Sequence, residues 1–196
     1  MQTRVRAIAR SIRFTLVALA LVTGCSDGSV SSEADAQTAY LGLDAHVDKA
    51  IALGFAGFNS ASSANIAPQM TTGTATGTLT VTGQVDQGSS ANKGMRLIEA
   101  LVAYSDDGKL TYATDAAAGP ALTMQLKGVP TGTLTGSLAG AYAMTGSLDG
   151  SVTLSLAFTG QLQAGAASAV ERKPGTTHIT GSAVSKYGSY TIDLTR

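Results

Sequence analysis

The sequence predicts a mainly β domain: an antiparallel meander of eight or nine strands, barrel-like or a sandwich, with one N-terminal amphipathic helix packed on it. Three observations lead there. From Leu134 to Leu162 the large apolar side chains fall on even positions: Leu134, Leu138, Tyr142, Met144, Leu148, Val152, Leu154, Leu156, Phe158 and Leu162. Odd positions there are mostly small or hydroxylated, such as Thr133, Thr135, Ser137, Thr153 and Ser155. Successive strand residues point to opposite faces, so this pattern describes a sheet with one dry face. Second, Leu43, Val47, Ile51 and Phe55 recur every four residues, the spacing of an apolar stripe on a helix. Third, glycines punctuate the β-patterned half at turn positions. A hydrophobic content of 44% is enough for a real core, while 13% charged residues is about half the usual share.

In chain order, residues 1–24 read as a signal peptide. Arg4, Arg6, Arg10 and Arg13 precede an apolar run from Phe14 to Val22, followed by Thr23-Gly24-Cys25. Nine apolar residues rise about 13 Å as a helix, against a hydrocarbon core of about 30 Å, too short to span. A basic segment, a short apolar one and small residues are the parts of a secretory signal. Val22-Thr23-Gly24-Cys25 resembles the lipobox of bacterial lipoproteins. The resemblance covers residues 1–25 and implies a diacylglyceryl group on the Cys25 thiol, cleavage before it, and acylation, commonly by palmitate, of the new amine. Ser26 rather than Asp after the Cys favours, by likeness to enterobacterial sorting, the outer membrane over the inner one. Removing four of the 13 basic residues leaves nine against 13 acidic, a net charge of −4. That balance offers no field for nucleic acid.

Residues 25–38 (the cysteine and the polar, acidic SDGSVSSEADAQT) read as a lipidated flexible tether of roughly 20 Å. The single globular domain is then 39–196, with a helix over 40–58 and β structure over 72–196. On that helix Asp44, His46, Asp48 and Lys49 are expected off the apolar stripe.

The turns are expected to be three-residue loops ending in a left-handed glycine at Gly108, Gly132, Gly150 and Gly188. Such loops pair Tyr104 with Leu110 and Val102 with Tyr112, then Met124 with Leu138 and Gly128 with Leu134. Further on they pair Ser147 with Ser151, Met144 with Leu154, and Val184 with Tyr190. Each pairing keeps the dry face dry.

The chemistry-bearing residues do not assemble into a known motif. His46 and His178 lack zinc spacing. Ser90-Ala91-Asn92-Lys93 matches the Ser-x-x-Lys of penicillin-binding enzymes, but without its companion motifs. Asp106-Asp107-Gly108 offers two carboxylates that a turn already explains. The expectation is therefore no metal, no cofactor and no catalytic residue. It is a lipid-anchored envelope domain with a structural or interaction role, bound to a membrane through its acyl chains and available to an envelope protein partner. The alternative is a carrier of a small apolar ligand or lipid inside a barrel. A lesser alternative is a transmembrane barrel with the even positions facing lipid, although only 10 aromatic residues are available for its girdles.

Overall fold

A computed structural model describes residues 28–86, 90–166 and 169–196. The order is α1 (Glu33–Leu41), α2 (Asp44–Ser60), then β1 (Asn65–Thr72), β2 (Thr76–Val85), β3 (Lys93–Ser105), β4 (Leu110–Ala113), β5 (Ala121–Lys127), β6 (Thr133–Gly146), β7 (Gly150–Ala164), β8 (Val170–Arg172), β9 (His178–Ser185) and β10 (Gly188–Thr195). Every pairing is antiparallel between chain neighbours, apart from two interruptions. β4 and β5 lie end to end between β3 and β6, and β8 and β9 do the same beside β7. Ten strands thus fill eight places in one meandering sheet, from β1 at one edge to β10 at the other.

The helices fill the dry face. α2 packs on β1, β2, β3 and β8, and α1 packs on β10, so between them they reach both edges of the curled sheet. Leu43, Val47 and Ile51 of the stripe are fully buried, with Tyr40 and Ala50 beside them. All ten large apolar residues at even positions from Leu134 to Leu162 are buried with them. The alternation dictated this, because each of those side chains had only the inner face to occupy.

The tether expectation is corrected. Only Cys25, Ser26 and Asp27 of the 25–38 stretch lie outside the described residues; Val30 and Ala36 are fully buried. Residues 33–41 are helical because Ser32 caps them, its Oγ accepting from the Asp35 amide at 3.1 Å. Asp35 returns the favour by accepting from the Ser31 amide at 3.0 Å, and Glu33 and Asp35 suit the positive end of the helix. The single helix 40–58 is in fact two, broken at Gly42, where a Cβ would run into the Tyr112 hydroxyl. β1 begins seven residues before the expected start of β structure.

The turns need correcting too. Gly108, Gly150 and Gly188 have positive φ (71°, 107° and 150°), but Gly132 does not; Gly128 takes that role with φ 68°. Tyr104 pairs with Tyr112, Leu122 with Leu138, Leu126 with Leu134, and Met144 with Gly150. These registers slip from the expected ones by even steps, so every side chain keeps its face. The last hairpin slips by one. Its turn is the two-residue Lys186-Tyr187, Ala183 rather than Val184 faces Tyr190, and Val184 is left 45% exposed.

One bulge reconciles two phases. In β3 the large buried side chains are odd-numbered through Leu101, and the next is the even-numbered Tyr104. Ala103, at φ 47°, is the extra residue opposite Gly77, whose register shift lies between Thr76 and Thr78. Gly77, at φ 73°, lies so close to the Ala103 carbonyl that a side chain has no space there.

Candidate functional site

The meander has two ends. The turns 73–75, 106–109, 147–149 and 186–187 form one, here called the near end; residues 86, 90–92, 128–132, 165–166 and 169 belong to the other. The chain enters at the near end. The Gly28 carbonyl accepts from the Asp149 amide at 2.8 Å, Ser29 Oγ donates to the Asp149 carbonyl at 2.7 Å, and Ser185 Oγ donates to the Val30 carbonyl at 2.6 Å. Val22, Thr23, Gly24 and Cys25 lie outside the described residues, three positions or more before Gly28.

The interior holds an unexpected ion pair. His46 is fully buried, not on a solvated helix face, and its Nε2 lies 2.9 Å from Glu99 Oε2, also fully buried. Its Nδ1 meets the Leu43 carbonyl. Tyr142 donates to the same Glu99 oxygen at 3.4 Å, while the rings of Tyr104 and Tyr142 stand edge-on to the imidazole, centroids 6.5 Å away. Glu99 Oε1 has no hydrogen-bond partner among the described residues. Burial disfavours a charged His46, but the charge of Glu99 and the bonds to Glu99 and Leu43 outweigh it, so its pKa is raised. Two sequence signals point to this pair. Glu99 is in phase with Met95, Leu97 and Leu101, and His46 lies three residues after Leu43 and four before Ala50, at the edge of the stripe.

A second cluster ties α2 to β8. Arg172, 7% exposed, donates from Nε to Asp48 Oδ1 at 2.8 Å, from Nη2 to Asp48 Oδ2 at 2.8 Å, and from Nη1 to Asp44 Oδ1 at 3.0 Å. Tyr40 donates to Asp44 Oδ1 at 2.6 Å. Burial works against ionisation of Asp44, yet the Arg172 charge and its hydrogen bond hold that carboxyl below its ordinary range. Every donor of this guanidinium that faces the carboxylates is occupied, so the cluster is a clamp between elements.

The remaining candidates are local. Asp106 accepts from Lys49 at 2.5 Å, from Tyr104 at 2.6 Å and from the Thr74 amide at 2.8 Å. Its burial opposes ionisation, but these bonds prevail and bring the pKa down to about 2. Asp107 Oδ1 accepts from the amides of Lys109 and Leu110, closing its own turn. Ser90 Oγ accepts from the Asn92 amide at 3.1 Å, and Lys93 Nζ stands 4.3 Å from the Phe58 ring centroid at the start of β3. No helix presents that serine and lysine to one another. His178 opens β9, half-exposed, 2.8 Å from Asp193. Among the described residues no group of three or more His, Cys, Asp or Glu is placed to hold a metal ion.

An apolar concavity lies at the far end. It is an open groove of about 560 Å³ between the last turns of α2 and the far-end loops, lined by Ala52, Phe55, Ala56, Val129, Pro130 and Val170 among others. The inner face of the sheet is covered by the helices. No family model, curated protein or solved structure matches this chain.

Proposed function

We propose that the protein is a lipid-anchored component of a bacterial cell envelope, held by an acylated Cys25 and acting through contact rather than catalysis. The observation that carries this reading is the packing of the inner face. A barrel that carries ligands keeps a hollow interior; here Tyr40, Leu43, Val47 and Ile51 are fully buried against the sheet, and His46 is turned on Glu99. The even positions of β6 and β7 face these helices, and the outward ones are Thr, Ser, Ala and Gln, which weighs against a lipid-facing barrel. The lipobox supplies the anchor, and its sorting residue, Ser26, supports the outer membrane.

The measurement is the mass of the mature N-terminal peptide. A diacylglyceryl-modified, N-acylated Cys25 is the expected result, and Cys25→Ser should abolish both cleavage and acyl labelling while the domain still folds. An unmodified Cys25, or another mature N-terminus, overturns the anchor.

The far-end groove supports a second reading, the binding of a small apolar ligand. Its volume is within the range of ligand sites, and its lining is aromatic and aliphatic. A ligand that binds only the folded state raises the melting temperature by mass action. Fatty acids and phospholipids should therefore stabilise the domain, and Phe55→Asp should abolish the effect. No shift with any lipid would leave the contact reading alone.

A further inference from the structure

We infer that the anchor holds this domain end-on against its own bilayer, with the near-end turns on the lipid head groups and the apolar groove facing away from that membrane. The inference rests on the lipid-anchor reading and adds an orientation to it.

The argument is one of reach. From Cys25 to Gly28 is three residues, at most about 11 Å of fully extended chain. The head-group region of one leaflet is roughly 5–8 Å thick, from the difference between the hydrocarbon core and the whole bilayer. Acyl chains on Cys25 put that residue at the base of this layer, so the chain uses most of its length in crossing it. The next three residues are not slack. Gly28, Ser29 and Val30 are hydrogen-bonded to Asp149 and Ser185, and Val30 is fully buried. The near end is therefore within a few ångströms of the head groups, in place of the roughly 20 Å of play that a tether through residue 38 would give.

The surface brought down suits a bilayer without a demand for anionic lipid. Tyr187, 51% exposed, caps its turn beside Lys186, whose Nζ stands 4.9 Å from its ring centroid. Tyrosine and lysine are the side chains that settle at the membrane–water interface. At the turns the carboxylates of Asp106, Asp107 and Asp149 are matched by the ammonium groups of Lys49, Lys109 and Lys186, and Glu33 and Asp35 in the adjoining first turn of α1 add negative charge. The groove lies at the opposite end, because Val129, Pro130, Ala169 and Val170 of its lining belong to the far-end loops or the first residue beyond them. Whatever occupies the groove therefore reaches it from the compartment, and not from the anchoring leaflet.

The test places a nitroxide on the acylated full chain at Tyr187→Cys or Ala75→Cys, near-end sites, and at Thr131→Cys in the far-end turn. Each is reconstituted in phosphatidylcholine vesicles carrying a nickel-chelating lipid. Head-group nickel should relax the labels at 187 and 75 and leave the label at 131 unaffected. Adding anionic lipid should not alter this order. A twelve-residue Gly/Ser insertion between Asp27 and Gly28 should lose the effect at 187 and 75 while acylation persists. Equal relaxation at 187 and 131, or stronger relaxation at 131, on a chain whose N-terminal mass shows the acyl groups overturns the orientation and leaves the anchor standing. A mass showing an unmodified Cys25 overturns the anchor itself and the orientation with it.

Discussion

At the scale of single residues, the pair of His46 and Glu99 couples stability to pH from the alkaline side. The folded pKa of His46 is raised above its ordinary 6.5 by the Glu99 charge, against the burial that would lower it. The stabilisation is thus complete below the unfolded value and is lost as pH rises through the folded one. Asp106 works in the opposite sense. Its pKa of about 2 lies below the ordinary 3.8, so its contribution is present above 3.8 and disappears as pH falls towards 2. Melting curves across pH should show both limbs, with His46→Gln removing the alkaline one and Asp106→Asn the acid one. A His46→Gln chain with an unchanged alkaline slope would show that the imidazole carries no extra proton. Removing one partner of a buried pair leaves the other uncompensated, so Glu99→Ala should cost about 3–5 kcal/mol by denaturant titration. The double change His46→Leu with Glu99→Met should recover much of that loss, since well-packed apolar replacements of a buried pair are often neutral.

At the scale of elements, legibility followed local geometry. The stripe of α2 and the alternation in β6 and β7 could be read because each depends on a period within one segment. The turns were read less well. A three-residue loop preserves phase, but so does any loop longer or shorter by an even number, and parity alone cannot choose between them. The β2–β3 bulge was hidden because Ala103 carries no turn signature; only its backbone, at φ 47°, marks it. That strain is testable. Ala103→Gly should stabilise the protein by up to about 1 kcal/mol, since glycine adopts this conformation freely, whereas Gly77→Ala should destabilise it by more than that. Matching denaturation midpoints for the two variants would remove the bulge as the device that switches phase. α1 is hidden for a different reason. Its composition is that of a disordered segment, and the Ser32-x-x-Asp35 cap was the one local sign of order. A chain beginning at residue 39 should therefore be less stable by denaturant titration than one beginning at residue 28, by at least about 1.5 kcal/mol for the loss of Val30 alone. Equal stability of the two would return residues 28–38 to the role of a tether.

At the scale of the whole molecule, the fold was legible and the interior site was not, because the pairing of His46 with Glu99 joins residues 53 positions apart and no spacing rule connects them. What the sequence could not show is also what holds the assembly together. The sheet has two edges, β1 and β10, that pair with their own neighbours and not with each other. Closure is left to the helices, α2 on β1 and α1 on β10, through side-chain packing without a hydrogen-bonded ladder. Local stability should therefore decline from the middle of the meander to its edges. The centre is β6 and β7, paired over twelve consecutive positions, with further strands on both sides. β1 is the weaker edge. It contains Pro68, its register breaks between Ile66 and Gln69, and Met70 is 66% exposed. Native-state amide exchange should find the slowest amides in β6 and β7, opening only with global unfolding, and the fastest strand amides in β1. Ile51→Ala, which hollows the contact of α2 with the sheet and should cost about 2–5 kcal/mol overall, should speed exchange in β1 and β2 more than in β9 and β10. Uniform acceleration across all ten strands would mean that the sheet opens as one unit, and that the helices stabilise it without closing its seam.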